Sequence, residues 1–181
     1  MSYEDIRAGN EIPDDFFTVV DIPANHSPVN YEVDKLSGQI FVDHFISTSP
    51  LYPAYYGFIP NTLSDDGDLL DVLVICPYPV SPGVVIRSRP VGVIYTTGRT
   101  GTGAIIVAVP HEKLSPMYAN VKEWEDFPVL LIAQIQHYFE YSKALEPGKW
   151  LKMGRWGSAD DARVEIRKSV ATYVKRYRCT P

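Results

Sequence analysis

Residues 83–109 read GVVIRSRPVGVIYTTGRTGTGAIIVAV. Two runs rich in Val, Ile and Tyr, 83–97 and 104–109, flank a glycine-rich stretch, and both fit β-strands. Working outward, similar runs recur at 16–22, 31–35, 39–45 and 70–75, with turns such as Leu36-Ser37-Gly38 and Pro82-Gly83 between them. Short strands at this spacing predict a small closed or nearly closed barrel. The period changes after Asp126. Leu130, Leu131, Ala133, Ile135, Tyr138 and Phe139 recur at roughly helical spacing as far as Leu145, and Glu146-Pro147-Gly148 ends that helix. A second helix is predicted to start near Ser158, with Asp161 completing a capping box and basic residues at its far end. The fold class is α+β, a barrel with two helices packed on it.

Composition narrows the function classes. At 181 residues, 1–181 reads as a single domain with no repeat or linker. No run approaches the roughly 18–20 apolar residues that cross a bilayer, and the acidic N-terminus lacks the features of a signal peptide. A cytoplasmic location is the expectation, with no membrane partner. The formal charge of −5 argues against nucleic acid. The basic C-terminal residues, among them Arg163, Lys168 and Arg178, read as a solvated helix face. Cys76 and Cys179 are too few for a disulfide framework or zinc site, and Cys76 is expected to be a small buried side chain.

Between two apolar runs lies SDDGDLLD, residues 64–71. Gly67 permits a bend that turns Asp66 and Asp68 towards one point, while Asp71 opens the next strand. Hard cations such as Mg²⁺ prefer such oxygen ligands. An acidic surface turn is the plain alternative, because Asp and Gly are common turn residues. The spacing is not that of a calcium-binding loop.

The tyrosine-dense LYPAYYGF (51–58), DIPANHSPVNYEVDK (21–35) and VAVPHEKLS (107–115) extend the pattern, as do NTLSDDGDLLDVLV and PYPVSPGVVIRSRPVGV. Together these segments resemble the soluble family I inorganic pyrophosphatases of bacterial type, from about residue 8 to residue 156. The resemblance implies a five-stranded, OB-like β-barrel with flanking α-helices, Mg²⁺ as cofactor and a homo-oligomer, a hexamer in the bacterial family. It places the metal-binding aspartates on Asp66, Asp68 and Asp71. Further site positions fall on Glu32, Tyr52, Tyr56 and Lys143, and on Asp21, where the family has glutamate.

Other family positions differ. Asn30 stands for a lysine, His44 for an arginine, Gly98 and Gly103 for two aspartates, Ile105 for a lysine and Ser142 for a tyrosine. Arg99 is a candidate replacement for one lost cation. Charge-assisted hydrogen bonds contribute about 1.5–3 kcal/mol each. Three lost cations therefore scale to on the order of 5 kcal/mol, a few thousand-fold in rate if borne wholly by the transition state.

The expectation is thus a rewired site with little or no pyrophosphate hydrolysis and an altered reaction on a small organic molecule. Asp68, Glu32, Asp21, Tyr56, Lys143 and His44 are its candidate catalytic residues. Asn30, His44, Tyr52, Ile105, Ser142 and Lys143 would line its substrate pocket. Asp66, Asp68 and Asp71 would hold Mg²⁺, weakened or lost. His44 is either an acid–base or ligand-binding group, or a filler of the volume left by arginine. Two alternatives stand beside this expectation: Mg²⁺-dependent pyrophosphate hydrolysis of reduced rate, and a non-catalytic oligomeric scaffold.

Overall fold

A computed structural model describes residues 3–98 and 101–177. The strands in chain order are β1 (Gly9–Glu11), β2 (Asp15–Ile22), β3 (Val29–Val33), β4 (Ile40–Phe45), β5 (Tyr55–Ile59), β6 (Leu70–Val74), β7 (Val85–Gly98) and β8 (Gly101–Pro110). Helix α1 (Val129–Tyr141), strand β9 (Leu151–Gly157) and helix α2 (Ala159–Tyr177) follow. The sheet runs β1-β2-β5-β6-β8-β7-β9, and β2 also pairs with β7. That last pairing closes β2, β5, β6, β8 and β7 into a five-stranded ring, as expected. β3 and β4 form a separate hairpin.

The apolar run of β8, and that of β6 after Asp71, follow from burial on both faces. Val72 and Val74 with Ile106 and Ala108 join Phe16, Ile59 and Val93, so all five ring strands feed one interior cluster, which Ala162 and Ile166 of α2 extend. The alternate residues Leu73, Ile105, Val107 and Val109 point the other way and pack with Ile135, Tyr138 and Phe139 of α1. Full burial of one such aliphatic side chain stabilises by about 1.5–3 kcal/mol.

Gly57 on β5 explains one tight approach. A Cβ there would sit 1.9 Å from the carbonyl oxygen of Val19 on β2, so only glycine lets these strands pair.

Several details correct the sequence expectations. α1 stops at Tyr141 rather than running to Leu145, with residue 142 as its cap and irregular turns after it. β1, β5 and β9 were not anticipated as strands. Cys76 is half-buried at the margin of the interior cluster rather than enclosed. The capping box is present: Asp161 N–H donates to Ser158 Oγ at 3.1 Å, and Ser158 N–H donates to Asp161 Oδ2 at 2.9 Å. Arg99, Arg178 and Cys179 lie outside the described residues.

Candidate active site

The acidic loop joins β5 to β6, and its own backbone shapes it. Thr62 Oγ1 donates to the Ile59 carbonyl at 2.6 Å and accepts the Leu70 N–H at 2.9 Å, bridging the two strand ends. Ser64 N–H donates to the Asp68 carbonyl at 2.8 Å, and Gly67 N–H to the Ser64 carbonyl at 3.1 Å. Gly67 has φ of +92°, the left-handed region in which a side chain would be strained. Asp68 N–H donates to Asp66 Oδ1 at 3.1 Å. Helix α2 holds the loop from outside, through Leu63 N–H to the Ser169 carbonyl at 2.9 Å and Lys168 Nζ to Asp65 Oδ2 at 2.5 Å. Asp66 and Asp68 are therefore exposed on the loop, while Asp71 sits in β6 opposite Phe58 and Ile105.

Five carboxylates, Asp21, Glu32, Asp66, Asp68 and Asp71, line one cavity of about 210 Å³ together with Lys35. Asp21 on β2 accepts the Val33 N–H at 3.0 Å, which ties the β3–β4 hairpin to the barrel. Burial pushes the Asp21 carboxyl up to about 7, and the neighbouring Asp71 and Glu32 add to the rise, against the Val33 hydrogen bond and Lys35. Burial likewise pushes Asp71 up to about 7. Asp66 and Asp68 add repulsion, while a hydrogen bond from Tyr56 and the charge of Lys35 oppose the rise.

The donor set is all oxygen and strongly anionic, so a divalent hard cation relieves the repulsion that raises both groups. Among the described residues, no three His, Cys, Asp or Glu side chains are grouped closely enough to hold a bare ion. The arrangement fits Mg²⁺, which keeps several of its waters and reaches protein through one or two carboxylates.

A second cavity of about 270 Å³ shares Asp66 and Asp71 with the first and adds Tyr52, Tyr56, Ile105 and Lys143. Ser142, Tyr138, Gly98 and Gly103 also border it. The Tyr52 ring lies 5.2 Å from Tyr56 and 4.3 Å from Tyr138, centroid to centroid. Burial pushes the Tyr52 phenol up to about 12, although hydrogen bonds from Tyr138 and Asn30 act against it. Burial also raises Tyr56, with the charge of Asp71 adding to the rise. Lys143 Nζ lies 3.3 Å from Glu146 Oε1.

The expected residues therefore gather in two joined cavities, with two exceptions. Asn30 borders neither; it is buried on β3 behind Tyr52, with its Oδ1 unpartnered. His44 faces it across the hairpin, and its Nδ1 is 2.6 Å from Asp43 and its Nε2 4.0 Å from Glu146. Sequence reasoning missed Lys35 and Tyr138. The available signal for Tyr138 was its i,i+4 spacing to Ser142 at the end of one helix.

A family model for inorganic pyrophosphatase matches residues 18–174. The chain belongs to the inorganic pyrophosphatase family. Over 173 residues it is 77% identical to inorganic pyrophosphatase 2 of Pseudomonas syringae pv. tomato, covering 96% of each chain. It is 57% identical to the inorganic pyrophosphatase of Pseudomonas aeruginosa over 97% of this chain and all of that one. The structure of an inorganic pyrophosphatase from Coxiella burnetii superposes with a TM-score of 0.89 at 42% identity, covering 93% of this chain and 99% of that chain.

These inorganic pyrophosphatase relatives overturn the expectation of a rewired site acting on another substrate. The identities of 77% and 57%, nearly full-length, to chains named inorganic pyrophosphatases are the finding that overturns it. The scale set by three lost cations does not by itself decide the activity. Contributions of groups that act as a unit are not additive, and Lys35 and Lys143 both border the joined cavities.

Proposed function

We propose that this chain is a Mg²⁺-dependent inorganic pyrophosphatase that hydrolyses diphosphate with water to two phosphates. One observation carries the reading: a five-carboxylate cavity shares Asp66 and Asp71 with a second cavity lined by Tyr52, Tyr56 and Lys143. A polyanion needs both, because carboxylates alone would repel it.

In this reading Asp66, Asp68 and Asp71 hold Mg²⁺. When bound there, Mg²⁺ neutralises phosphate charge and makes a coordinated water a better nucleophile. Asp21 and Glu32 would add further oxygen acceptors in the same cavity, and Asp21, with its raised pKa, is the candidate to take up a proton from water. Tyr56 borders the same cavity as Asp71 and supplies a neutral phenol there. Lys143 supplies positive charge to the phosphate, as Lys35 does to the carboxylate side. Tyr52 donates to a phosphate oxygen. Ile105 and Ser142 shape the wall, Asn30 supports Tyr52, and His44 adjusts the local field through Asp43 and Glu146.

The chain is further read as one domain acting in the cytoplasm; among the described residues no helix is long and apolar enough to cross a membrane. A homo-oligomer is supported by the outer face of α1, where Val129 is 85% and Leu130 71% exposed.

Phosphate release from pyrophosphate in millimolar Mg²⁺ tests the reading. Release by the unmodified chain that falls by about a hundredfold or more in Asp68→Asn supports it. No release at saturating Mg²⁺ refutes it.

A further inference from the structure

The β3–β4 hairpin brings Glu32 to the carboxylate cavity, yet it forms a sheet of its own beside the barrel. A lone two-stranded hairpin is marginally stable in water, so its placement has to come from ties to its surroundings. The Val33–Asp21 bond is one such tie. Another is made by Tyr3, which opens a short 3₁₀ turn, Tyr3–Asp5.

Tyr3 grips three neighbours. Its N–H donates to the Lys35 carbonyl at 3.0 Å, in the turn between β3 and β4. Its ring meets Phe58 of β5 edge-on, with centroids 6.4 Å apart and planes at 77°. Its hydroxyl donates to the Gly83 carbonyl at 2.8 Å. Gly83 is itself held, because its N–H donates to the Val20 carbonyl of β2 at 2.8 Å. A chain of contacts thus runs from the barrel through Tyr3 to the hairpin turn that follows Glu32.

The same residue packs on the cavity wall. Tyr3 lies against the small cluster of Val19, Val33 and Phe58, and Val33 and Phe58 both border the carboxylate cavity. Lys35, Phe58 and Leu69 border that cavity and also a smaller one, of about 50 Å³, which Tyr3 lines. Tyr3 itself touches only the smaller one.

We propose that Tyr3 is a positioning residue that straps the β3–β4 hairpin to the barrel and so places Glu32 for Mg²⁺ in the carboxylate cavity. The inference rests on the pyrophosphatase reading and deepens it, since it assigns part of the metal affinity to a residue outside the cavity.

The test is a double-mutant cycle on the full chain with Tyr3→Ala, Glu32→Gln and the pair, and Tyr3→Phe beside them. Calorimetric Mg²⁺ affinity without substrate, kcat for pyrophosphate at saturating Mg²⁺, and Tm are read. Tyr3→Ala is expected to weaken Mg²⁺ binding about three- to tenfold. Tyr3→Phe keeps the ring contact and loses only the bond to Gly83, so a loss of about twofold is expected. Saturating Mg²⁺ restores the occupied site, and kcat should stay within about twofold. In the Glu32→Gln background Tyr3→Ala should weaken Mg²⁺ binding no further, while its fall in Tm, about 4 °C or more, persists.

A lowered Tm with unchanged Mg²⁺ affinity would make Tyr3 a structural residue only and overturns the proposal. So does an equal loss of affinity in the Glu32→Gln background. A tightened affinity overturns it as well, because it would trace the effect to the competing charge of Lys35. If Tyr3→Ala does not fold, Tyr3→Phe decides on the same readings. If the unmodified chain binds Mg²⁺ without releasing phosphate from pyrophosphate, the pyrophosphatase reading fails while the affinity cycle still decides the role of Tyr3. If it does not bind Mg²⁺, both fall.

Discussion

Lys168 Nζ lies 2.5 Å from Asp65 Oδ2, joining the third turn of α2 to the loop that presents Asp66 and Asp68. Both side chains are about half exposed or more, at 48% and 69%. Such a pair is worth under about 1 kcal/mol after solvent screening. Lys168→Met is therefore expected to leave urea unfolding almost unchanged, and a large loss of stability would show the pair to be more than a surface contact.

Magnesium should stabilise the fold as well as support turnover. At a Mg²⁺ concentration ten times its Kd, binding to the native state alone contributes about 1.4 kcal/mol. A calorimetric scan should show Tm rising with Mg²⁺ in the unmodified chain, and the rise should shrink sharply in Asp71→Asn. An undiminished rise in that variant would move the metal away from this carboxylate.

Asp15 sets the acid limit of the barrel's far side. A hydrogen bond from Arg87 holds its carboxyl below the usual range, with burial opposing and Asn10 assisting. A lowered folded pKa gives stability that is complete above the unfolded value and disappears as pH falls through the folded one. Arg87→Met should accordingly lower the urea midpoint most at pH 7 and progressively less below about pH 4. A deficit that is constant with pH would show that Arg87 acts through packing alone.

The start of α2 is capped twice. Besides the reciprocal Ser158–Asp161 bonds, Glu123 Oε2 accepts the Ala159 N–H at 2.7 Å. Ser158→Ala should cost about 1 kcal/mol. In a chain of this size that is a fall in Tm of about 2–4 °C.

Gly57→Ala is expected to be far worse. The added methyl would collide with backbone that the β2–β5 pairing fixes, at a cost of about 3 kcal/mol or more. Little soluble protein, or a strongly lowered urea midpoint, is the expected outcome.

Some of this architecture was legible in the residues. β8, and β6 beyond Asp71, announced themselves because strands buried on both faces carry apolar runs. β9 did not, since LKMGRWG carries Lys152, Gly154 and Arg155 along the outer edge of the sheet. Charges on an edge strand discourage pairing with other chains, and they also hide the strand from a hydrophobic pattern. β5 was masked by Gly57, whose reason is a contact with a distant strand. At the site, the carboxylates stood out because Gly67 marks their turn. Tyr138 read as core because its ring is buried, and only the fold shows that it also borders the second cavity. The altered positions were legible too, but their joint effect was not, because it depends on which cations share the cavity.

The pairing of β2 with β7 also governs when this molecule can first exist. β2 ends at Ile22 and its ring partner begins at Val85. At about 5–20 residues per second, the ribosome releases the two strands several seconds apart. Throughout that interval Phe16, Val19 and Val20 have no finished interior to enter. The acidic loop, Tyr52 and Tyr56 are synthesised inside the same interval, so this part of the candidate site emerges before the β7 wall that will support it. Closure is thus a late event in the birth of the chain, and the nascent β2 is the segment most in need of protection from aggregation.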